Sequence, residues 1–153
     1  MRRASEQSLN KRRKNQKGVA AVELAIILPF FGILLLGVLE IGGMARDHQA
    51  LQNGAREGAR FSALLNNKIV GGTPGAETRI KDSIRAYLLK EKITVAAGDI
   101  TVDQDYSISL GTGWATASKI TITYNRPVLF PGISKWISVS APLKASAVFR
   151  NFY

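Results

Sequence analysis

Residues 24–39 read LAIILPFFGILLLGVL, sixteen positions without a charge. Glu23 and Glu40 bracket the run, and with Gly18–Val22 and Ile41–Ala45 the apolar block extends over 18–45, interrupted only by those two acids. About 20 apolar residues span a bilayer core, so the block predicts a transmembrane helix with an acid near each end. Pro29 lies inside it, which membrane helices tolerate because neighbouring groups re-satisfy the freed backbone. A cleavable secretory signal has a shorter apolar core, about 7–15 residues, and a small-x-small cut site that Gly43-Met44-Ala45 matches poorly.

The charge distribution orients this helix. The chain has 153 residues, 21 Lys+Arg against 11 Asp+Glu, and a formal charge of +10. Arg2, Arg3, Lys11, Arg12, Arg13, Lys14 and Lys17 all precede Gly18, opposed only by Glu6, so residues 1–18 hold +6 and the other 135 residues +4. A basic excess first points to nucleic acid or an anionic membrane. Here the basic arm runs straight into an apolar helix, which argues against nucleic acid. Clustered Lys and Arg stay cytoplasmic. The expectation is a single-pass plasma-membrane protein with its amino terminus inside and the residues from about 46 onward outside. Its organisation reads as a leader 1–18, a membrane helix 19–45, a helix continuation 46–65 and an α+β domain 66–153.

Glu23 asks for an explanation. An acid in a membrane segment is costly and usually pairs. Cleavage after Gly18 would make Val19 a new amino terminus, its ammonium one helical turn from Glu23 or beside the Glu23 of a neighbouring subunit. The plainer alternative is a Glu23 solvated at headgroup level.

Lys17-Gly18-Val19-Ala20-Ala21-Val22-Glu23-Leu24, heading an apolar helix, resembles the class III signal of type IV pilins and pseudopilins. GVAAVELAIILPFFGILLLGVLEIG followed by ALQNGAREGARFSAL resembles the TadE-like pseudopilins of the tight-adherence (Flp-type) pilus system. Leu24 stands where that family often has Phe, and Gly54 where it often has Ala. The resemblance implies processing by a prepilin peptidase at Gly18/Val19 and a role for Glu23 and Val19 in assembly. Its partners would be other pilins or pseudopilins, the assembly machinery and membrane lipids. It implies a structural or assembly subunit with neither catalysis nor cofactor. The competing reading is an uncleaved, membrane-anchored binding module.

Beyond the membrane, Leu51, Ala55, Gly58/Ala59, Ser62 and Leu65 recur at three- and four-residue spacing. A helix from Val19 to Leu65 would be roughly 70 Å long. Two rows of small residues lie on it, Gly54/Gly58/Ser62 and Ala55/Ala59/Ala63. Small rows admit close approach of another element, either this chain's own tail or another subunit. Arg56, Glu57 and Arg60 read as a solvated, ion-paired face, and His48, next to Asp47, as an exposed polar residue just past the membrane.

Thr73-Pro74 reads as an N-cap and first helical position. Ala76, Ile80, Ile84, Tyr87 and Leu88 form one face of a second helix ending near 92–98. Ile100, Val102, Tyr106, Ile108 and Leu110 then alternate with polar residues. Gly111–Gly113 turns the chain, and Ile120, Ile122 and Tyr124 alternate again. Pro127 and Pro131 interrupt, leaving 128–134 as a loop. A last run covers Ile137, Val139, Ala141, Leu143, Ala145, Ala147 and Phe149, with Pro142 arguing for an edge or broken strand. The expected fold is α+β and pilin-like: a long helix whose outer half, with a second helix, covers a small antiparallel sheet of about three strands.

The sequence has no Cys and one His, which excludes a disulfide scaffold and a Cys nucleophile and makes a His-based zinc site or Ser/His triad improbable. Asp99, Asp103 and Asp105 lack the spacing and closing Glu of a calcium loop, so no metal is expected. Trp114 and Trp136 lie near turns, and sequence does not separate core plugs from partner contacts.

Overall fold

The computed structural model describes residues 2–64, 69, 74–128 and 142–151, with side chains from residue 18 onward except Pro74. Helix α1 covers Arg2–Ser62, α2 covers Pro74–Lys90, and strands β1 (Ile100–Ser109), β2 (Trp114–Tyr124) and β3 (Leu143–Arg150) follow a short 3-10 turn at Ala97–Asp99. The chain divides into two compact units, Met1–Ile41 and Gly42–Tyr153.

The first unit is helix alone. Val19, Val22, Leu24, Ile26, Phe30, Ile33 and Leu39 are all exposed, and none of the apolar stretch is buried within the protein. Helix α1 passes through Pro29. In length and composition the segment is able to cross a membrane.

The second unit has a core. Leu51, Ala55 and Ala59 from α1 meet Ile80, Ile84 and Leu88 from α2 and Ile100, Ile120, Ile122 and Ala145 from the sheet. The sheet has the order β1-β2-β3, antiparallel throughout. Small residues let these layers close up. A Cβ on Gly54 would lie 3.1 Å from the Leu88 side chain, and one on Gly58 only 2.5 Å from Ile84. Both rows of small residues on α1 therefore face α2 and the sheet of their own chain.

Helix α1 ends at Ser62, three residues short of the expected Leu65, which lies outside the described residues. The predicted N-cap Thr73 also lies outside them, while α2 starts at Pro74 as its fixed φ favours. Its end is set by Lys92, whose φ of 63° is left-handed. The Ile93 amide reaches the Leu88 carbonyl (2.9 Å) and the Lys92 amide the Leu89 carbonyl (3.0 Å). This is a Schellman cap with Lys where glycine is usual, and Ile93 and Leu88 supply its apolar contact.

The β1–β2 hairpin turns at Gly111, where φ is +83°, closed by the Leu110 amide on the Gly113 carbonyl at 2.8 Å. One expectation fails here. Val102 pairs with Ile120 but Tyr106 pairs with Ala117, so Gln104 and Asp105 together oppose Ser118 in a β-bulge. The bulge switches faces. Tyr106 and Ile108 lie on the side of Lys119, opposite the Ile100–Val102 face they would share by simple alternation. Leu110 lies past the strand and is exposed. Strand β3 begins after Pro142 and is an edge, as Pro142 suggested. The expected strand residues 137–141 and most of the expected 128–134 loop fall outside the described residues.

Two stability outcomes follow. Overpacking typically costs about 1–3 kcal/mol, against up to about 1 kcal/mol gained by Ala over Gly in a helix. Gly58→Ala should therefore destabilise the second unit by about 1 kcal/mol in chemical unfolding. Gly37→Ala, with no neighbour within 4 Å, should leave that transition unmoved. Lys92→Gly should stabilise by about 1 kcal/mol by relieving the left-handed strain.

Candidate functional site

Gly18, Val19 and Glu23 lie on α1, all exposed, with Val19 and Glu23 one helical turn apart. The helix holds the Glu23 carboxyl on the side of a segment otherwise lined by Val22, Leu24, Ile26 and Ile27, which are about 60% exposed. In water this surface is unfavourable, and in hydrocarbon it is matched. The sequence-selected residues Gly54, Ala55, Gly58, Ala59 and Ser62 lie elsewhere, in the folded unit. Ala55, Ala59 and Ser62 are buried.

Arg60 and Glu57 form the exposed ion pair read from sequence, with nitrogen to oxygen 3.0 Å. The hydrogen bond to Glu57, then its charge, raises the Arg60 guanidinium pKa above its ordinary value. With Arg56, Tyr87, Ala147 and Phe149 they border an open groove of about 620 Å³. Trp114 is 76% exposed, so it is no core plug, and Trp136 lies outside the described residues. Among the described residues no group of three or more His, Asp or Glu is placed to hold a metal. Asp99, Asp103 and Asp105 are exposed, and the Asp103 carboxylate instead accepts from the Asp105 amide at 3.1 Å.

Two constellations escaped the sequence. In the first, the Asp47 carboxylate accepts from Arg126 Nε at 2.7 Å, with the side chains 20% and 9% exposed. The partners are 79 positions apart, so no local pattern reveals them. The pair ties the start of the outer α1 segment to the end of β2. His48 beside it is exposed. Burial, then the Asp47 charge, raises the Tyr124 pKa above 10.0, partly countered by Arg126.

The second is a buried polar ring at the end of α1. Gln104 Nε2 donates to Ser62 Oγ (2.9 Å), Ser62 Oγ to Ser118 Oγ (3.2 Å), and Ser118 Oγ to Asn151 Oδ1 (2.7 Å). Asn151 Nδ2 closes the ring on the Gln104 carbonyl at 2.8 Å. Gln104 Nε2 also reaches the Ser62 carbonyl (3.0 Å), and its Oε1 accepts from the Ile69 amide (2.7 Å). All four residues are at most 8% exposed. The signal was available: Gln104 and Ser118 occupy inward positions of strands, where a polar residue requires a buried partner.

An apolar helix able to cross a membrane, followed by a small α+β unit, is compatible with single-pass membrane anchoring. Residues 18–60 match the family model described as TadE-like protein, so the chain carries a TadE-like domain over the residues that suggested it. The match indicates a membrane-anchored protein related to pilus assembly. No curated protein and no solved structure matches the chain.

The Asp47–Arg126 pair generates a titration test. Asp47→Asn should lower the Tyr124 phenol pKa, because the charge favouring the neutral form disappears while Arg126 remains. The difference between parent and Tyr124→Phe absorbance titrations reads it. The neutral phenol contributes stability that is complete below pH 10.0, its ordinary value, and is lost as pH rises through the higher folded value. Asp47→Ala should cost about 1.5–3 kcal/mol, the range for hydrogen bonds to charged groups.

Proposed function

We propose that this chain is a minor pseudopilin of a tight-adherence type pilus system, a structural or assembly subunit without catalysis. The observation that carries the reading is the TadE-like match at residues 18–60, which begins at Gly18 and takes in the whole apolar block. The basic arm stays in the cytoplasm and orients insertion. A prepilin peptidase cuts after Gly18, leaving 135 residues with a charge of +4. The freed ammonium of Val19 then offsets Glu23, on its own helix or a neighbour's. The helix anchors the subunit in the plasma membrane, and residues from about 46 onward lie outside. The small-residue rows have the structural task of closing that outer domain.

The mature terminus is the direct measurement. Mass spectrometry of protein made with an active prepilin peptidase should find Val19 first, and Gly18→Leu should leave Met1 in place. An intact Met1 terminus in the parent chain sinks the processing claim and favours an uncleaved binding module. Glu23→Ala should abolish assembly while membrane insertion persists. Normal assembly of that variant argues for the same alternative.

A further inference from the structure

We propose that the Ser62–Gln104–Ser118–Asn151 ring is a register lock, which holds β1 in its bulged pairing and so keeps Tyr106 and Ile108 on the outer face of the sheet.

The sequence of β1 contains a competing solution. Ile100, Val102, Tyr106 and Ile108 have the same parity, and an unbroken ladder would turn all four toward the helices. In that pairing Ser107 would oppose Ala115, whereas in the structure it opposes Thr116. A one-residue slip exchanges the faces of every residue beyond it. The two pairings therefore differ in what the distal hairpin shows on each side. In the observed one, Tyr106 carries Lys119 Nζ 4.5 Å from its ring centroid, and Ser107, Ser109 and Thr116 are exposed.

A bulge leaves backbone groups out of the ladder. Here two side chains take them up. Asp103 accepts from the Asp105 amide, and Asn151 donates to the Gln104 carbonyl. Asn151 follows β3, which β2 separates from β1, so this bond spans the middle strand. Its own amide is pinned to the Thr116 carbonyl at 3.0 Å. Gln104 is held from the other side by Ser62, at the last turn of α1. Helix end, bulge, middle strand and the residue after β3 thus meet at one point. Each hydroxyl in the ring accepts one bond and donates the next, an arrangement in which polarisation reinforces every member. Shifting β1 by one residue removes the bulged carbonyl from Asn151 and strands buried donors.

The chain contains no Cys, so engineered pairs report register directly. The full chain in detergent micelles would carry Ser107→Cys/Thr116→Cys for the bulged pairing or Ser107→Cys/Ala115→Cys for the slipped one. Thr101→Cys/Thr121→Cys, before the bulge, is a folding control common to both. In the parent background the first pair should oxidise well and the second poorly. Gln104→Leu, or separately Asn151→Leu, should shift the yield ratio toward the second pair by about tenfold or more, the scale of losing two or three hydrogen bonds. The control pair should still form. An unchanged ratio with the control intact overturns the proposal. Loss of the control cross-link in both variants also overturns it, because the ring would then hold the hairpin together without choosing its register.

Discussion

The close approach of α1 to α2 and the sheet is the constraint on which the folded unit depends. Ile84 rests where a Cβ of Gly58 would be, and Leu88 and Tyr87 crowd Gly54. Ala55 and Ala59 are closed off completely alongside them. With larger residues on this face the two layers would stand apart, and Ile80, Ile84, Ile120 and Ile122 could not form one core. A helix that is apolar and exposed along its first part thus becomes the central core element of a small domain along its last.

Polar chemistry then fixes what apolar packing leaves open. The inward face of a three-stranded sheet tolerates more than one register as long as branched aliphatics meet the helices. The ring around Gln104 and the Asp47–Arg126 pair are directional, and each joins segments distant in sequence. One lies where α1 ends and the other near where its outer segment begins. Together they align the middle strand along the helix at both ends, which the small-residue rows alone do not do.

The apolar segment and the basic arm before it follow different rules. Their legibility came from length and charge asymmetry, because a bilayer imposes both on any spanning helix. The basic excess that first pointed toward nucleic acid is concentrated ahead of Gly18, where the proposed function makes it an orientation signal. The TadE-like match over residues 18–60 agrees with the motif that the eye picks out there.

Sequence by itself determined the elements: the apolar span, the small-residue face of α1, the buried face of α2, the hairpin at Gly111, and β3 as an edge after Pro142. Each is a local matter of period, composition or backbone freedom, which neighbours in sequence decide. The Glu57–Arg60 pair was legible for the same reason, being one turn of helix apart. Only the tertiary structure decided the rest. The bulge turned Tyr106 and Ile108 to the outer face, Asp47 paired with Arg126, and Gln104, Ser118 and Asn151 closed a ring with Ser62. These depend on partners tens of residues away, and strand periodicity marks which polar residue faces inward but not which partner it meets.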